Sequence, residues 1–226
     1  MTRCRSSRGK NKSKLPVFQI LMTTNRSHNA EKTKCIKIVD YDPAWPVTFE
    51  ALHVVLLRNL RPWVEKIEHV GSTAVPGLAA KPIIDIDIVI ASKSTLPVVI
   101  GELKKLGYEH EGNLGIDDRD AFTRTSNHTP NDGRDIAWPQ HHLYCCIKGG
   151  ISLRNHLYFR DYLRSHPDKA AEYGGLKKLL ALRYPFMPDL YVNSKTHFIV
   201  TALTDSGMPP EAAAAITKQN EKQVVL

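Results

Sequence analysis

Between Ile83 and Ile90 the chain alternates isoleucine with aspartate, so an extended strand here has one wholly apolar side. Ile84, Ile86, Ile88 and Ile90 fall on that side, and Asp85 and Asp87 on the other. β-Branched residues are dense and no turn residue intervenes, which predicts a strand with its isoleucine face on a core. Upstream, Val47, Ala51, Val54, Val55 and Leu57 recur with helical spacing. Asp42-Pro43 suits the start of that helix, which runs to about Leu60. Cys35–Tyr41 and Val64–Val70 read as strands, the second closed by the Gly71-Ser72 turn. A helix from Ser94 to Leu106 ends at Gly107. Two strands are expected within 108–125 around a turn at Asn113–Asp118, then a loop over 126–139 and a strand from His141 to Lys148. After that the pattern is helical. Helices are expected from Ser152 to Ser165, Pro167 to Arg183 and Pro188 to Asp205, with a short Ala-rich helix after Pro209-Pro210. The fold class is α/β (α+β): a mixed sheet followed by a helical section.

The 226 residues, 42% of them hydrophobic, suffice for one domain with a substantial core. The net charge of +8 first suggests a polyanion partner, but its distribution does not. Residues 1–30 hold seven of the 31 basic residues and no acid, leaving 24 basic against 23 acidic residues in the rest. The excess belongs to a tail rich in Arg, Lys, Ser, Thr and Asn, which buries too little apolar surface to offset its ordering entropy. We expect a disordered basic tail at 1–30, one domain at 31–205 and a partly helical extension at 206–226. Nucleic acid is expected as a partner only through the tail. The acid-free start also fits a mitochondrial targeting segment; otherwise the expected location is cytoplasmic. No run approaches the roughly eighteen apolar residues of a membrane span. Cys4, Cys35, Cys145 and Cys146 form no CxxC and read as reduced thiols.

Two carboxylates on one face of so apolar a strand need an explanation. At about 4 Å they repel by about 4 kcal/mol at an effective dielectric of about 20. Either the face is open to water, or a divalent cation or a basic side chain compensates. Gly71-Ser72, twelve residues upstream, allows a backbone to approach a ligand closely. Asp-x-Asp takes hard cations through oxygen, which suits Mg²⁺.

The string His69-Val-Gly-Ser-Thr-Ala-Val-Pro-Gly-Leu78, followed by Lys81-Pro-Ile-Ile-Asp85 and Asp87, resembles the GrpB-like family within the polymerase-β-type nucleotidyltransferase superfamily. Asp40-Tyr41-Asp42 with Trp45, Phe159–Arg164, His166-Pro167, Tyr173, Leu176-Lys177, Arg183–Pro185, Tyr191 and Lys195 extend the likeness over about residues 35–203. The resemblance implies that Gly71 and Ser72 hold nucleotide phosphates and that Asp85 and Asp87 hold Mg²⁺ (or Mn²⁺). One departure stands out. Active enzymes of this type usually carry a third carboxylate on a later strand, whereas His141–Lys148 presents His142, Tyr144 and Cys146 on one face and no acid. His142, which titrates near neutrality, is then the base expected in its place.

Other residues carry two readings each. Lys81 is a phosphate ligand or an exposed loop lysine, and His69 is a structural, hydrogen-bonded histidine rather than a catalyst. Arg160 and Arg164 share a helix face and suit phosphate or a local ion pair with Asp161. Tyr173 with Lys177, and Tyr191 with Lys195, repeat that spacing as nucleotide contacts or as ordinary surface. Arg119 and Arg124 flank a strand that faces the same cleft. His142 and Cys146 lie about 13 Å apart along a strand at about 3.3 Å per residue, so they cannot share one zinc ion. The expectation is an Mg²⁺-dependent nucleotidyltransferase binding a nucleoside triphosphate with an unknown acceptor; the alternative is a catalytically inactive nucleotide-binding module of the same fold.

Overall fold

Asp42 starts the first helix as its position suggests: its Oδ1 accepts a hydrogen bond from the amide of Ala44 at 2.8 Å. The computed structural model describes residues 35–209. The expected basic tail at 1–30 and most of the extension at 206–226, with its Ala-rich helix, lie outside the described residues.

Helix α1 (Ala44–Leu60) leads to strand β1 (Lys66–Val70) and, after the 71–83 segment, to β2 (Ile84–Ile90). Helix α2 (Leu96–Lys105), strands β3 (Tyr108–Gly112), β4 (Arg119–Arg124) and β5 (His141–Ile147) follow. Helices α3 (Ile151–Ser165), α4 (Pro167–Arg183), α5 (Pro188–Asn193) and α6 (Thr196–Asp205) complete the chain. The sheet runs β1-β2-β5-β4-β3, with β2 and β5 parallel and the other neighbours antiparallel. The fold class is the one expected, a mixed sheet followed by a helical section.

The isoleucine face of β2 is the heart of the core. Ile84, Ile86, Ile88 and Ile90 are at most 1% exposed and pack with Leu52, Val55, Leu56 and Leu60 of α1 and Val99 and Leu103 of α2. Burying each such side chain contributes about 1.5–3 kcal/mol. The opposite face is covered too, for Val89 and Cys146 pack against Leu153 of α3. A second cluster joins Val75 and Leu78, in the turn before β2, to Tyr162, Leu163, Tyr173 and Ala202 of the helical section. The 71–83 segment is thus gripped between sheet and helices.

Three local expectations are corrected. Residues 35–41 form no ladder strand: only Val39 bridges Ala80, while the Ile36 amide bonds to the Pro185 carbonyl. The segment pairs with a loop rather than with the sheet. The helix expected from Pro188 to Asp205 breaks at Ser194-Lys195, because Asn193 and Ser194 are weak helix formers and the Lys195 amide tightens onto Val192 O at 3.2 Å. Finally, Ser152 does not cap α3. Its amide and hydroxyl both donate to Asp118, so a carboxylate from the β3–β4 turn takes the cap position instead. Among the described residues no helix is long and apolar enough to cross a membrane, and Cys35, Cys145 and Cys146 are free.

Candidate functional site

The parallel pairing of β2 with β5 places Asp85 opposite His142 and Asp87 opposite Tyr144. A cleft of about 420 Å³ opens at this end of the pair. Ser72, Thr73, Lys81, Asp85, His142, Tyr144, His156, Lys177, Tyr191 and Lys195 are among its walls, and among the described residues Asp85 is its sole carboxylate.

Gly71 sets the wall. Its φ of 69° lies in the left-handed region, and a β-carbon there would collide with the Asp85 side chain. Only glycine lets the strand end turn this close to that carboxylate. Beyond it, Thr73 donates to the Ile83 carbonyl at 3.2 Å and shares a 3.0 Å hydrogen bond with His69 Nε2, which ties the turn to the start of β2. His69 stacks on Phe49 at 4.6 Å, and burial lowers its pKa to about 4. It is a neutral structural histidine.

The two aspartates share a face but not a surrounding. Asp85, with its side chain 30% exposed, accepts from His142 Nδ1 at 2.9 Å. Asp87 is fully buried, does not line the cleft, and accepts through Oδ2 from His156 Nδ1 at 2.7 Å. Its other oxygen, Oδ1, has no hydrogen-bond partner among the described residues. Burial opposes protonation of His156, but the Asp87 charge and hydrogen bond outweigh it and raise the imidazole pKa.

The cationic wall comes from three separate segments. Lys81 and Lys195 lie over the Tyr191 ring at 4.8 and 4.5 Å, and Lys177 lies over Tyr173 at 4.6 Å. None of the three ion-pairs with a carboxylate among the described residues, and Lys177 Nζ is buried with no hydrogen-bond partner. Burial, reinforced by the neighbouring Lys195 charge, lowers Lys177 to about 7. Burial and the Lys81 charge lower Lys195 to about 8, and burial lowers Lys81 as well. The opposing pull of Asp85 does not restore them.

Among the expected nucleotide contacts, Lys177, Tyr191 and Lys195 meet in the cleft with Ser72, Lys81, Asp85 and His142. Tyr173 lies beneath Lys177 rather than in the wall. Arg124, Arg160 and Arg164 are held elsewhere. Arg124 donates to the carbonyls of Trp138 and Pro139. Arg160 bonds Glu68, the His69 carbonyl and Asp161, and Arg164 donates to the Ala74 carbonyl. These guanidinium groups are engaged by backbone carbonyls and acids and do not line the cleft. His156 was not anticipated from the sequence. The available signal was its place four residues before Arg160 and eight before Arg164, which puts all three on one face of α3.

The model of the family described as GrpB protein matches residues 35–205. The UPF0157 protein YqkA of Bacillus subtilis is 34% identical over 167 residues, covering 74% of this chain and 46% of YqkA. The chain therefore spans less than half the length of that relative. The glutamate-rich protein GrpB of Alkalihalophilus pseudofirmus is 31% identical over 169 residues, 74% of this chain and 94% of that one. The crystal structure of the conserved protein GrpB from Enterococcus faecalis superposes with a TM-score of 0.64 at 32% identity, covering 75% of this chain and 96% of the other.

Proposed function

This chain belongs to the GrpB family, and we propose that its cleft binds a nucleoside triphosphate by the phosphates, as a nucleotidyltransferase-type site with an acceptor yet to be identified. One observation carries the reading. Lys81, Lys177 and Lys195 converge on two tyrosine rings without a carboxylate hydrogen-bonded to any of them. Three desolvated ammonium groups repel one another, and a fold keeps such an arrangement where an anion compensates it. A triphosphate supplies several negative charges in one elongated group. Ser72 also lines the cleft, and Tyr191 would offer a ring beside the phosphates.

The donors also suit a divalent cation. Mg²⁺ is commonly held by one or two carboxylates together with substrate phosphates and water. Asp85, half-open and next to the lysines, fits that role for Mg²⁺ or Mn²⁺; Asp87 is enclosed and engaged with His156, which leaves Asp85 as the principal protein ligand. When bound, the cation would neutralise charge developing on the phosphates. In nucleotidyl transfer an acceptor hydroxyl attacks the α-phosphorus and pyrophosphate leaves. In this reading His142, hydrogen-bonded to Asp85 through Nδ1, would take the hydroxyl proton, and the lysines would stabilise the departing pyrophosphate.

A second reading has its own support. No carboxylate of β5 enters the cleft and Asp87 is sealed beneath it, so the site has one accessible acid where the catalytic pattern needs more. This favours a nucleotide-binding module without turnover. Melting the full chain with each of the four ribonucleoside triphosphates, with and without Mg²⁺, tests both readings. A ligand selective for the folded state raises the melting temperature, by about 2.7 kcal/mol of stability at a hundredfold excess over Kd. No shift with any triphosphate would remove both. A shift without release of pyrophosphate selects the module.

A further inference from the structure

The nucleotide reading gives no role to one group of side chains that begins at the cleft wall with His156 and continues beneath it. Asp87 of β2, Cys146 of β5 and His156 of α3 each offer one ligating atom, and these atoms lie within 4.8 Å of one another. The topology brings them together. Asp87 and Val89 share a face of β2, Cys146 stands opposite Val89 on the parallel neighbour, and α3 lies across that face. Asp87 and Cys146 are both 0% exposed. Asp87 spends one oxygen on His156, and the other is buried without any partner. A buried, half-satisfied carboxylate is costly to keep, and a cation would satisfy it.

We propose that Asp87, Cys146 and His156 form a buried site for a zinc-type divalent cation, separate from the Mg²⁺ position at Asp85 and independent of whether the cleft binds nucleotide. The donor set selects the metal class. Sulfur, imidazole nitrogen and one carboxylate oxygen favour Zn²⁺ and its transition-metal neighbours over Mg²⁺, which prefers oxygen. Zinc holds such atoms at about 2.0–2.3 Å, so the three donors close on the ion by on the order of 1 Å. Arg119, opposite Cys146 on β4, is turned over the Tyr144 ring at 4.4 Å. On binding, the Cys146 thiol loses its proton to solvent, and His156 gives up its hydrogen bond to Asp87 Oδ2 and would coordinate as a neutral imidazole with its remaining proton on Nε2. The unpartnered Oδ1 of Asp87 is available to the cation, so binding releases the thiol proton. His142 and Cys146, about 13 Å apart along β5, cannot share an ion. The partner of Cys146 is on α3, a helix that strand spacing alone does not reveal.

The test uses the full chain with Cys4 and Cys35 replaced by serine, freed of metal with a chelator and titrated with Co²⁺ and then Zn²⁺. We expect one Co²⁺ per chain, bound with proton release and with a near-ultraviolet thiolate-to-cobalt absorption that Zn²⁺ then displaces. C146S should abolish the absorption, and H156Q should weaken binding at least tenfold. D85N should leave both unchanged. Each variant is first checked for a cooperative melt; if C146S does not fold, H156Q decides, since it keeps the thiol. Absence of the absorption in the parent, its survival in C146S, or unaltered affinity in H156Q would overturn the proposal. Loss in D85N alone would place the metal in the cleft instead, and would equally overturn it.

Discussion

A β-carbon at Gly71 would fall within 2.9 Å of Asp85 Cβ, and closer still to its carboxylate. The turn and the acid are therefore one unit, with the left-handed backbone of Gly71 making room for the side chain that faces the cleft. Gly71→Ala should cost about 1–3 kcal/mol from backbone strain and displacement of Asp85. Gly77→Ala is the control: it also has positive φ, but its β-carbon would meet nothing within 4 Å. In denaturant melts the Gly71 variant should be the less stable of the two and should lose the Mg²⁺ response. Equal losses would show that Gly71 serves only the turn.

Lys177→Met should leave the unliganded protein as stable as the parent or more so. The lysine is buried with no hydrogen-bond partner, and methionine removes a desolvated amine while keeping most of the apolar stem. Triphosphate affinity should fall at least tenfold, or about 1.4 kcal/mol. A variant destabilised by more than about 2 kcal/mol would instead mark Lys177 as a structural residue.

Much of this was legible in the sequence, and the limits are instructive. The Ile83–Ile90 alternation predicts the central strand and the shared face of Asp85 and Asp87, because a period of two is a local property. Tyr191 and Lys195, four residues apart, do meet in the cleft. The difference between Asp85 and Asp87 was not legible, since it depends on α3 crossing one carboxylate and not the other. Arg160 and Arg164 were misplaced for the same reason: helical spacing shows which face they share, not that Glu68 and the carbonyls of His69 and Ala74 await them. The break at Ser194-Lys195 was hidden inside an apolar period that continues through it.

The pH dependence follows from the lysines. Lys177 and Lys195 fall to about 7 and about 8 in the unliganded fold. Between those values and the ordinary lysine pKa the unfolded chain binds more protons than the folded one, so unliganded stability should rise with pH over that window. Phosphate binding restores the protonated forms. Near pH 8 it should therefore take up protons, and affinity should decline as pH rises from 7 to 9. Calorimetry in two buffers of different ionisation enthalpy reads this directly. Proton release, or none, would contradict the assignment.

Asp85→Asn separates metal from phosphate. As the sole carboxylate of the cleft, Asp85 repels a triphosphate when no cation is present. The asparagine variant should bind triphosphate at least as tightly as the parent in chelator, yet gain nothing from Mg²⁺. If Mg²⁺ still tightened binding in the variant, the cation would have to sit elsewhere.

The most direct test of the phosphate cleft is an equilibrium titration of the parent and of the Lys177→Met, Lys195→Met double variant. Each nucleoside triphosphate, and inorganic triphosphate, would be added at pH 7 with Mg²⁺. The account predicts saturable one-site binding to the parent and a loss of about a hundredfold in the double variant, equivalent to about 2.7 kcal/mol, with the fold intact. A parent that binds none of these ligands, or a double variant that binds them equally well, would contradict it.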